Sequence, residues 1–321
     1  MSKEKGYTLI IGSSNMDLNI YSERLPKPGE TVTEGVFKQF LGGKGANQAV
    51  AAVRAGSKTI FIGKIGKDAF GDQMMARLTN EGIEMSHVIR DSEVPSGLAF
   101  IMIDKNGENM ISVAPGANAR LTPSEILTKS EIIKNAKTLI VQMELPIETI
   151  EEIYNIASEG NVIRILNPAP LKLIPSDILM KIDIIIPNEG ELYRLHSLLG
   201  YNELKALEGK EKIIEASKDI SRTGVKIIIT TLGSKGCIIY KRENNEIIKV
   251  PAFKVKAVDT VGAGDCFNGV LASYLCKGET IEDAVKYATA AASIAVTRKG
   301  AQESMPFLHE IERRFEEFKL N

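Results

Sequence analysis

The sequence predicts an α/β fold: a doubly wound, mostly parallel central sheet covered by helices, with a small β-sheet lid. Short apolar runs recur along the chain, helix-like patterns fill the intervals between them, and two strand-rich segments lack an intervening helix. The 321 residues, 44% of them apolar, are enough to bury a large core. We expect one domain over residues 1–321, with the lid formed by about 17–40 and 97–114.

The apolar runs predict the central strands, because strands buried on both faces of a parallel sheet are apolar nearly throughout. These strands are expected at 7–12, 59–66, 138–143, 162–167, 182–188 and 226–233. Helical periodicity predicts helices at 45–55, 68–81, 123–135, 146–159, 189–199, 208–223, 265–277, 281–297 and 307–319. Strands that alternate with helices imply crossover connections, with helices on both faces of the sheet.

The segments 17–40 and 97–114 have strand propensity, and "DKNGE" within the second is a typical hairpin turn. Both lie beside glycine-rich or polar stretches, which favours a lid over an active site. The alternative is an edge hairpin without a functional role.

The charge balance argues against broad classes of partner. Lysine plus arginine number 40 and aspartate plus glutamate 41, so no net field attracts nucleic acid or an anionic membrane. The cysteines, Cys237, Cys266 and Cys276, lack CxxC spacing and are expected to be reduced. The first residues lack the apolar run of a signal peptide, and no stretch is long enough to span a membrane. We therefore expect a soluble, cytoplasmic protein.

The segment "DTVGAGDCFNG", residues 259–269, combines a glycine-rich turn with the start of a predicted helix. Backbone amides of 261–265 can point into one concavity there, and the helix dipole adds positive potential, which suits a phosphate. Asp265 could accept the proton of a hydroxyl that attacks a phosphoryl group. The alternative is that Asp265 only caps the helix and the glycines only form a tight turn.

Two further loops carry polar side chains where α/β proteins bind ligands. "LGGKGANQAVAAVRAG" opens a helix with Gly42, Gly43, Lys44 and Asn47. "GSSNMD" places Asn15 and Asp17 after the first strand, where a carboxylate and an amide suit vicinal hydroxyls. Taken singly, each is more often a turn residue. Neither the P-loop nor the complete GxGxxG pattern occurs.

Nearly the whole chain resembles the ribokinases of the PfkB carbohydrate-kinase family in the order and spacing of its motifs. The matching motifs are "GSSNMDL", "PGETV", "GGKGANQAVAA", "LNPAP", "PNEGE", "TLGSKG", "VDTVGAGDCFNG" and "AVTRKGAQESMP". The resemblance implies a ribokinase-like fold and transfer of the ATP γ-phosphate to the 5-hydroxyl of D-ribose. It also implies Mg²⁺ and K⁺ as cofactors and a homodimer through the lid.

The same resemblance implies roles for individual positions. Asp265 resembles the catalytic base, with the amides of Ala263 and Gly264 as an anion hole. The implied ribose contacts are Asn15, Asp17, Gly43, Lys44, Asn47, Glu144 and Asp265. The implied nucleotide contacts are Asn188, Thr231, Gly233, Ser234, Gly236, Gly264 and Thr289. Thr289 departs from the family pattern, in which asparagine or histidine is common.

Two ion sites follow from the resemblance as well. Asn188 and Glu191 match the pair that positions magnesium through water, as suits a hard, hydrated cation. A monovalent-cation site is implied at Asp259, Val261, Ala295, Arg298, Gly300 and Ser304.

Three other functions stay in consideration. A kinase of the same fold could phosphorylate another substrate, such as 2-deoxyribose, another sugar or a nucleoside. A non-catalytic sugar or nucleotide sensor would need neither Asp265 nor the Asn188 and Glu191 pair. A nicotinamide oxidoreductase is disfavoured because GxGxxG is absent.

Overall fold

The computed structural model describes residues 6–201, 204 and 207–320, and the predicted α/β architecture is confirmed there. The described residues form fourteen strands: β1 Thr8–Ile11, β2 Asn15–Tyr21, β3 Val36–Gly42, β4 Thr59–Ile62, β5 Lys64–Gly66, β6 Ile89–Asp91, β7 Gly97–Ile103, β8 Asn109–Ala114, β9 Thr138–Gln142, β10 Ile163–Asn167, β11 Ile184–Ile185, β12 Ile227–Thr231, β13 Cys237–Lys241 and β14 Glu246–Val250. The same residues form eleven α-helices: α1 Lys44–Arg54, α2 Ala69–Asn80, α3 Pro123–Leu127, α4 Ser130–Lys134, α5 Ile147–Ser158, α6 Ser176–Leu179, α7 Glu189–Leu198, α8 Gly209–Ser221, α9 Ala263–Lys277, α10 Ile281–Ala295 and α11 Leu308–Leu320.

The central sheet has eight strands in the order β14-β13-β12-β11-β10-β9-β1-β4. In this order, each neighbouring pair between β12 and β4 is parallel, while β12, β13 and β14 form an antiparallel edge. Because parallel strands point the same way, their carboxyl ends share one edge of the sheet, where ligands of α/β proteins bind.

Side chains alternate along the central strands into two cores, one on each face of the sheet. Leu9 and Ile11 of β1 enter one core, with Ile150 and Ile153 of α5. Ile10 enters the other core with small residues of α1 and apolar residues of α9 and α10. Each face therefore has its own helical layer, as the alternating sequence pattern predicts.

Helices α1 and α9 pack unusually close together, since small residues line their contact. A Cβ atom on Gly269 of α9 would lie 2.2 Å from the backbone oxygen of Gln48 in α1. Only glycine fits this approach. The contact brings the first turns of α1 and α9 to the same edge of the central sheet.

A second sheet has four strands in the order β3-β2-β7-β8, and it stands apart from the central sheet as predicted. Its strands extend beyond the predicted 17–40 at both ends, because β2 begins at Asn15 and β3 ends at Gly42. Met16 packs with Ile65 and Met74 at the inner end of this sheet. Every residue of β8 is exposed.

Several predicted element bounds are wrong. The strand at 59–66 breaks at Gly63, after which β5 pairs with β6 in a separate sheet. The helix at 123–135 is two short helices, α3 and α4. The strand at 182–188 shortens to β11, since Asn188 already caps the next helix. The hairpin of β13 and β14 was not predicted, although the polar turn that contains Asn245 at φ 54° is typical of one.

No helix within residues 6–201, 204 and 207–320 is long and apolar enough to cross a membrane. The three cysteines are free, as predicted, and Cys237 and Cys266 are buried. The first residues, on which the prediction about a signal peptide was based, lie partly outside the described ranges.

Candidate active site

The carboxylate of Asp265 lies in the first turn of α9 and is 8% exposed. The helix is entered through Gly262, whose φ of 74° is in the left-handed region that favours glycine. The N-cap is therefore Gly262, and the alternative that Asp265 is only a cap is wrong. The turn leaves the amides of Ala263 and Gly264 at the positive end of the helix, where the Ala263 amide also donates to the Thr260 carbonyl at 3.3 Å.

Two side chains of α1 hold the Asp265 carboxylate, one on each oxygen. Asn47 Nδ2 donates to Oδ2 at 3.0 Å, and Gln48 Nε2 donates to Oδ1 at 2.9 Å. Burial raises the pKa of Asp265 above its ordinary value, while the charge of Lys44 and these two hydrogen bonds oppose the rise.

A cavity of about 160 Å³ opens beside Asp265. Predicted site residues from four separate segments line it: Lys44, Asn188, Glu191, Thr231, Gly264 and Asp265. Burial alone would lower the pKa of Lys44, but the nearby carboxylates of Asp265, Glu144 and Glu191 raise it. Lys44 therefore stays a cation at neutral pH in this cavity, which suits it to an anionic ligand.

Asn188 and Glu191 are paired at the start of α7 in a capping box. Asn188 Oδ1 accepts from the amide of Glu191 at 2.8 Å, and Glu191 Oε2 accepts from the amide of Asn188 at 2.9 Å. Each carboxylate oxygen has two lone pairs, so Glu191 can still accept bonds from water. Within the described ranges, no three His, Cys, Asp or Glu side chains cluster closely enough to hold a metal ion. The donors present therefore fit a hydrated magnesium ion better than a directly coordinated one.

A larger cavity of about 460 Å³ adjoins the first, and Thr231 and Gly264 line both. The other predicted nucleotide residues lie on its wall: Gly233, Ser234, Gly236 and Thr289. Ala252, Phe253, Val255, Phe267, Ala292 and Val296 add an apolar lining. A flat apolar ring with a polar end suits such a cavity.

Thr289 is buried and has its hydroxyl occupied. Thr289 Oγ1 donates to the carbonyl of Val285 at 2.8 Å in the same helix. Its side chain can therefore add an apolar methyl group and an oxygen acceptor to the cavity, but the hydroxyl proton is already used.

The remaining predicted sugar residues line neither cavity but lie around the start of α1. Glu144 Oε2 accepts hydrogen bonds from the Lys44 amide at 3.1 Å and from the Ser13 hydroxyl. Gly43 lies against the backbone of Ser14 and Asn15. The structure therefore gathers the segments 13–17, 43–47 and 144 at one place, which is what the family resemblance implies for these positions.

Asn15 is oriented by Asn118, a residue that no sequence motif singled out. Asn118 Nδ2 donates to Asn15 Oδ1 at 2.8 Å, and Asn118 Oδ1 accepts from the Ser14 amide at 3.0 Å. Asn118 is 1% exposed and follows the small sheet, so no local pattern connects it to Asn15.

The segments proposed for a monovalent cation face each other across Asp259. Asp259 Oδ1 accepts from the Val261 amide at 3.0 Å, and Oδ2 accepts from the Gly300 amide at 3.0 Å. The amides of Val258 and Asp259 donate to the carbonyl of Val296. These bonds hold 258–261 beside 296–300, an arrangement that can direct several carbonyls at one ion.

Ser304 donates its hydroxyl proton to the Ala301 carbonyl at 2.8 Å, which leaves its oxygen free to accept. The donor set fits a weakly hydrated cation.

Two more polar residues border Asp265 without having been predicted. Asn167 Oδ1 accepts from Gln48 at 3.2 Å, and Asn268 lines the small cavity. No atom of the described residues pairs with the buried Asn268 Oδ1. Asn268 lies three residues after Asp265 on α9, so helical spacing alone could have placed both on one face.

Asp17 is partly buried beside other carboxylates, which makes its ionisation unfavourable in the folded chain. Burial, followed by the charges of Glu144 and Asp265, raises its pKa from 3.8 to about 7. Because the folded pKa lies above the unfolded one, the protein loses stability as pH rises from about 4 through 7. One pKa unit corresponds to about 1.4 kcal/mol.

We predict that Asp17→Asn, which cannot ionise, unfolds at a higher temperature than wild type at pH 8. The difference should exceed about 1 kcal/mol and should shrink as the pH is lowered toward 4, as measured by thermal unfolding across that range. Asp177→Asn, at an exposed carboxyl in α6, serves as the control. A stability difference between wild type and Asp17→Asn that does not vary with pH would contradict the raised pKa of Asp17.

The chain is similar to known proteins over nearly its whole length. The pattern of the pfkB family carbohydrate kinases matches residues 5–308. The chain is 37% identical over 305 residues to a ribokinase of Staphylococcus aureus, covering 94% of this chain and 97% of that protein. It is 36% identical over 302 residues to a deoxyribokinase of Salmonella typhi, covering 94% of this chain and 96% of that protein.

A solved structure has the same fold. The ribokinase of Arabidopsis thaliana, complexed with ribose and ATP, superposes with a TM-score of 0.88 at 31% identity, covering 97% of this chain and 98% of that chain. The resemblance seen in the motifs is thus confirmed over nearly the whole sequence. On its fold and on these matches, the chain belongs to the pfkB family of carbohydrate kinases, which are phosphotransferases with an alcohol group as acceptor.

Proposed function

We propose that this protein transfers the γ-phosphate of ATP to the 5-hydroxyl of D-ribose and releases D-ribose 5-phosphate and ADP. The observation that carries the proposal is the buried Asp265 carboxylate, held on both oxygens by α1 in the wall of the smaller cavity and next to Gly264, which lines both cavities. The ribokinase relatives support ribose as the acceptor.

Asp265 is proposed as the base that orients and deprotonates the attacking hydroxyl. Its two hydrogen bonds hold the carboxylate plane, and the remaining lone pairs can accept a hydroxyl proton. The amides of Ala263 and Gly264 would stabilise charge on the transferring phosphoryl group. Since the transition state is largely dissociative, positioning contributes more than basicity.

The sugar site is proposed at the group of residues around the start of α1. Asn15 and Asp17 at the start of β2 would contact the hydroxyls remote from the reacting one, and Lys44 and Asn47 those nearer to it. Glu144 and Gly43 would complete the contacts. Polar partners for each hydroxyl make the site selective, because an analogue that lacks one leaves a buried group unpaired at about 1–3 kcal/mol.

The nucleotide site is proposed in the larger cavity. Its apolar lining suits the adenine ring, with Thr289 beside it, and Gly233, Ser234 and Gly236 would approach the ribose and phosphates. Thr231 and Gly264 line both cavities and Asn188 lines the smaller one, so the γ-phosphate would point toward Asp265. Asn188 and Glu191 would hold magnesium through water, and magnesium supplies neutralisation of the phosphate charge when it is bound.

A potassium site is proposed at Asp259, with carbonyls of Val261, Ala295, Arg298 and Gly300 and the hydroxyl of Ser304. Its support is that Asp259 ties together the two segments beside Gly262, the residue that opens α9. A bound cation would order the anion hole without touching the substrate. Equal rates in potassium and sodium buffers of the same ionic strength would count against it.

The small sheet is proposed as a lid on a single domain and as a homodimer interface. It exposes apolar side chains on both faces of its outer end: Ile20, Val36, Phe37, Phe100, Met110, Ile111 and Val113. A second copy that packed against them would remove this surface from water. Sedimentation as a monomer of 35.0 kDa at micromolar concentration would oppose the dimer. A cytoplasmic location is proposed with it.

A kinase for 2-deoxyribose is the second candidate, because the deoxyribokinase relative is nearly as similar as the ribokinase one. The two candidate substrates differ in whether they present a 2-hydroxyl that Asn15 and Asp17 could contact. A sensor without catalysis is less well supported, since it gives Asp265 no role.

We predict that the wild-type protein releases ADP with ribose, with a kcat/KM at least about 10-fold above that for 2-deoxyribose. Asp265→Asn should lower kcat by about 10²- to 10⁴-fold, because the amides of the loop persist but the proton acceptor is lost. The measurement is ADP release across pentoses, hexoses and nucleosides, with binding of an ATP analogue as the control for folding. Near wild-type kcat in Asp265→Asn would refute the assigned base, and preference for another acceptor would refute ribose.

A further inference from the structure

We propose that Gln48 is a positioning residue that orients the Asp265 carboxylate through a relay of buried amide side chains and thereby controls turnover. The inference rests on the proposed function and deepens it. We define the amide relay as the side chains of Gln142, Gln48 and Asn167. Gln48 is the member that contacts Asp265.

Gln48 connects the other members of the relay. It is 0% exposed, and its Nε2 donates to Asp265 Oδ1 at 2.9 Å and to Asn167 Oδ1 at 3.2 Å. Its Oε1 accepts from Gln142 Nε2 at 2.7 Å. Both ends of the amide are therefore occupied.

The partners determine which way the Gln48 amide points. A flipped amide would set its oxygen against the Asp265 carboxylate and the Asn167 oxygen, and both contacts are repulsive. Asn167 is fixed in turn, because its Nδ2 donates to the Ile186 carbonyl at 3.1 Å. The relay thus delivers an N–H group to Asp265 in one orientation only.

Gln142 and Asn167, the two members of the relay that flank Gln48, lie at the carboxyl edge of the central sheet. Gln142 is the last residue of β9 and Asn167 the last residue of β10. Gln48 lies on α1, which the missing side chain of Gly269 allows to approach α9. The carboxylate is therefore tied to the sheet and to two packed helices rather than to a loop.

Gln48 and Asn47 each donate one hydrogen bond to the Asp265 carboxylate, and each bonds a different oxygen. Two donors define the plane of the carboxylate, whereas one leaves it free to rotate. A hydrogen bond to the ionised form also opposes the rise in pKa that burial causes. Loss of the Gln48 donor should therefore loosen the base and raise its pKa further.

A purely structural role for Gln48 would have a different signature. Breaking buried hydrogen bonds costs stability wherever they lie, but it would leave the pH dependence of turnover unchanged. A positioning role should shift the acid limb of kcat/KM to higher pH, because the base works only above its pKa. Lys44, Glu144 and Asp17 also face Asp265, and the variant leaves all three unchanged.

The test uses Gln48→Met, which keeps the length of the side chain and removes the donor. We expect kcat to fall about 10-fold or more, KM for ATP to stay within about 2-fold, and the acid limb of kcat/KM to move to higher pH. Gln142→Met leaves the Asp265 donor but removes the hydrogen bond to Gln48 Oε1, so it should act in the same direction to a smaller extent.

The control is Ser273→Ala, a buried change on α9 outside the relay, where the hydroxyl donates to the Ala55 carbonyl at 3.4 Å. It should keep wild-type kcat and the wild-type acid limb. Wild-type kcat and acid limb in Gln48→Met, or lower thermal stability with an unchanged acid limb, would overturn the proposal. If Gln48→Met does not fold, kcat and the acid limb of kcat/KM are measured on Gln142→Met, and wild-type values of both would overturn the proposal.

A stability measurement separates this inference from the proposed function. Because Gln48 favours ionised Asp265, Gln48→Met should lose more thermal stability at pH 8 than at pH 4, whether or not a substrate is known. A wild-type protein that phosphorylates no acceptor would contradict the proposed function, and the relay would still be judged by this difference. Equal losses at both pH values would contradict the relay.

Discussion

A carboxylate that is buried and held on both oxygens is the constraint on which the arrangement depends. An ionised group is costly away from water unless hydrogen bonds and opposite charge compensate it. Asp265 receives that compensation from Asn47, Gln48 and Lys44, all on α1. The glycine and alanine residues at the contact between α1 and α9 make this possible, since larger side chains would hold the helices apart.

The charges around Asp265 are unbalanced in favour of anions. Asp265, Glu144 and Glu191 lie near one cation, Lys44. Burial, followed by the charges of Glu144 and Asp265, raises the pKa of Asp17 to about 7. A triphosphate with its metal, bound beside this group, would change the field at each carboxylate. The amide groups at the start of α9 add an uncharged attraction for phosphate.

Much of the fold and of the site could be predicted from local sequence. The alternating strands and helices, the glycine loop before Asp265 and the polar loop of Lys44 and Asn47 all follow from short patterns. Gln48 and Asn118 could not be found in this way, because their partners are distant in sequence and meet only when the sheet is assembled. A glutamine within an alanine-rich helix carries no local signal of a polar role. The hairpin of β13 and β14 does have a local signal, in its polar turn.

In the proposed mechanism, the acceptor hydroxyl, the γ-phosphate and Asp265 meet where the two cavities join. A crystal structure of the protein with ribose and a non-hydrolysable ATP analogue tests this meeting point most directly. We expect the 5-hydroxyl to lie within hydrogen-bonding distance, about 2.6–3.2 Å, of an Asp265 oxygen and to face the terminal phosphate. A sugar bound away from Asp265, or a terminal phosphate pointing away from the start of α9, would contradict the mechanism.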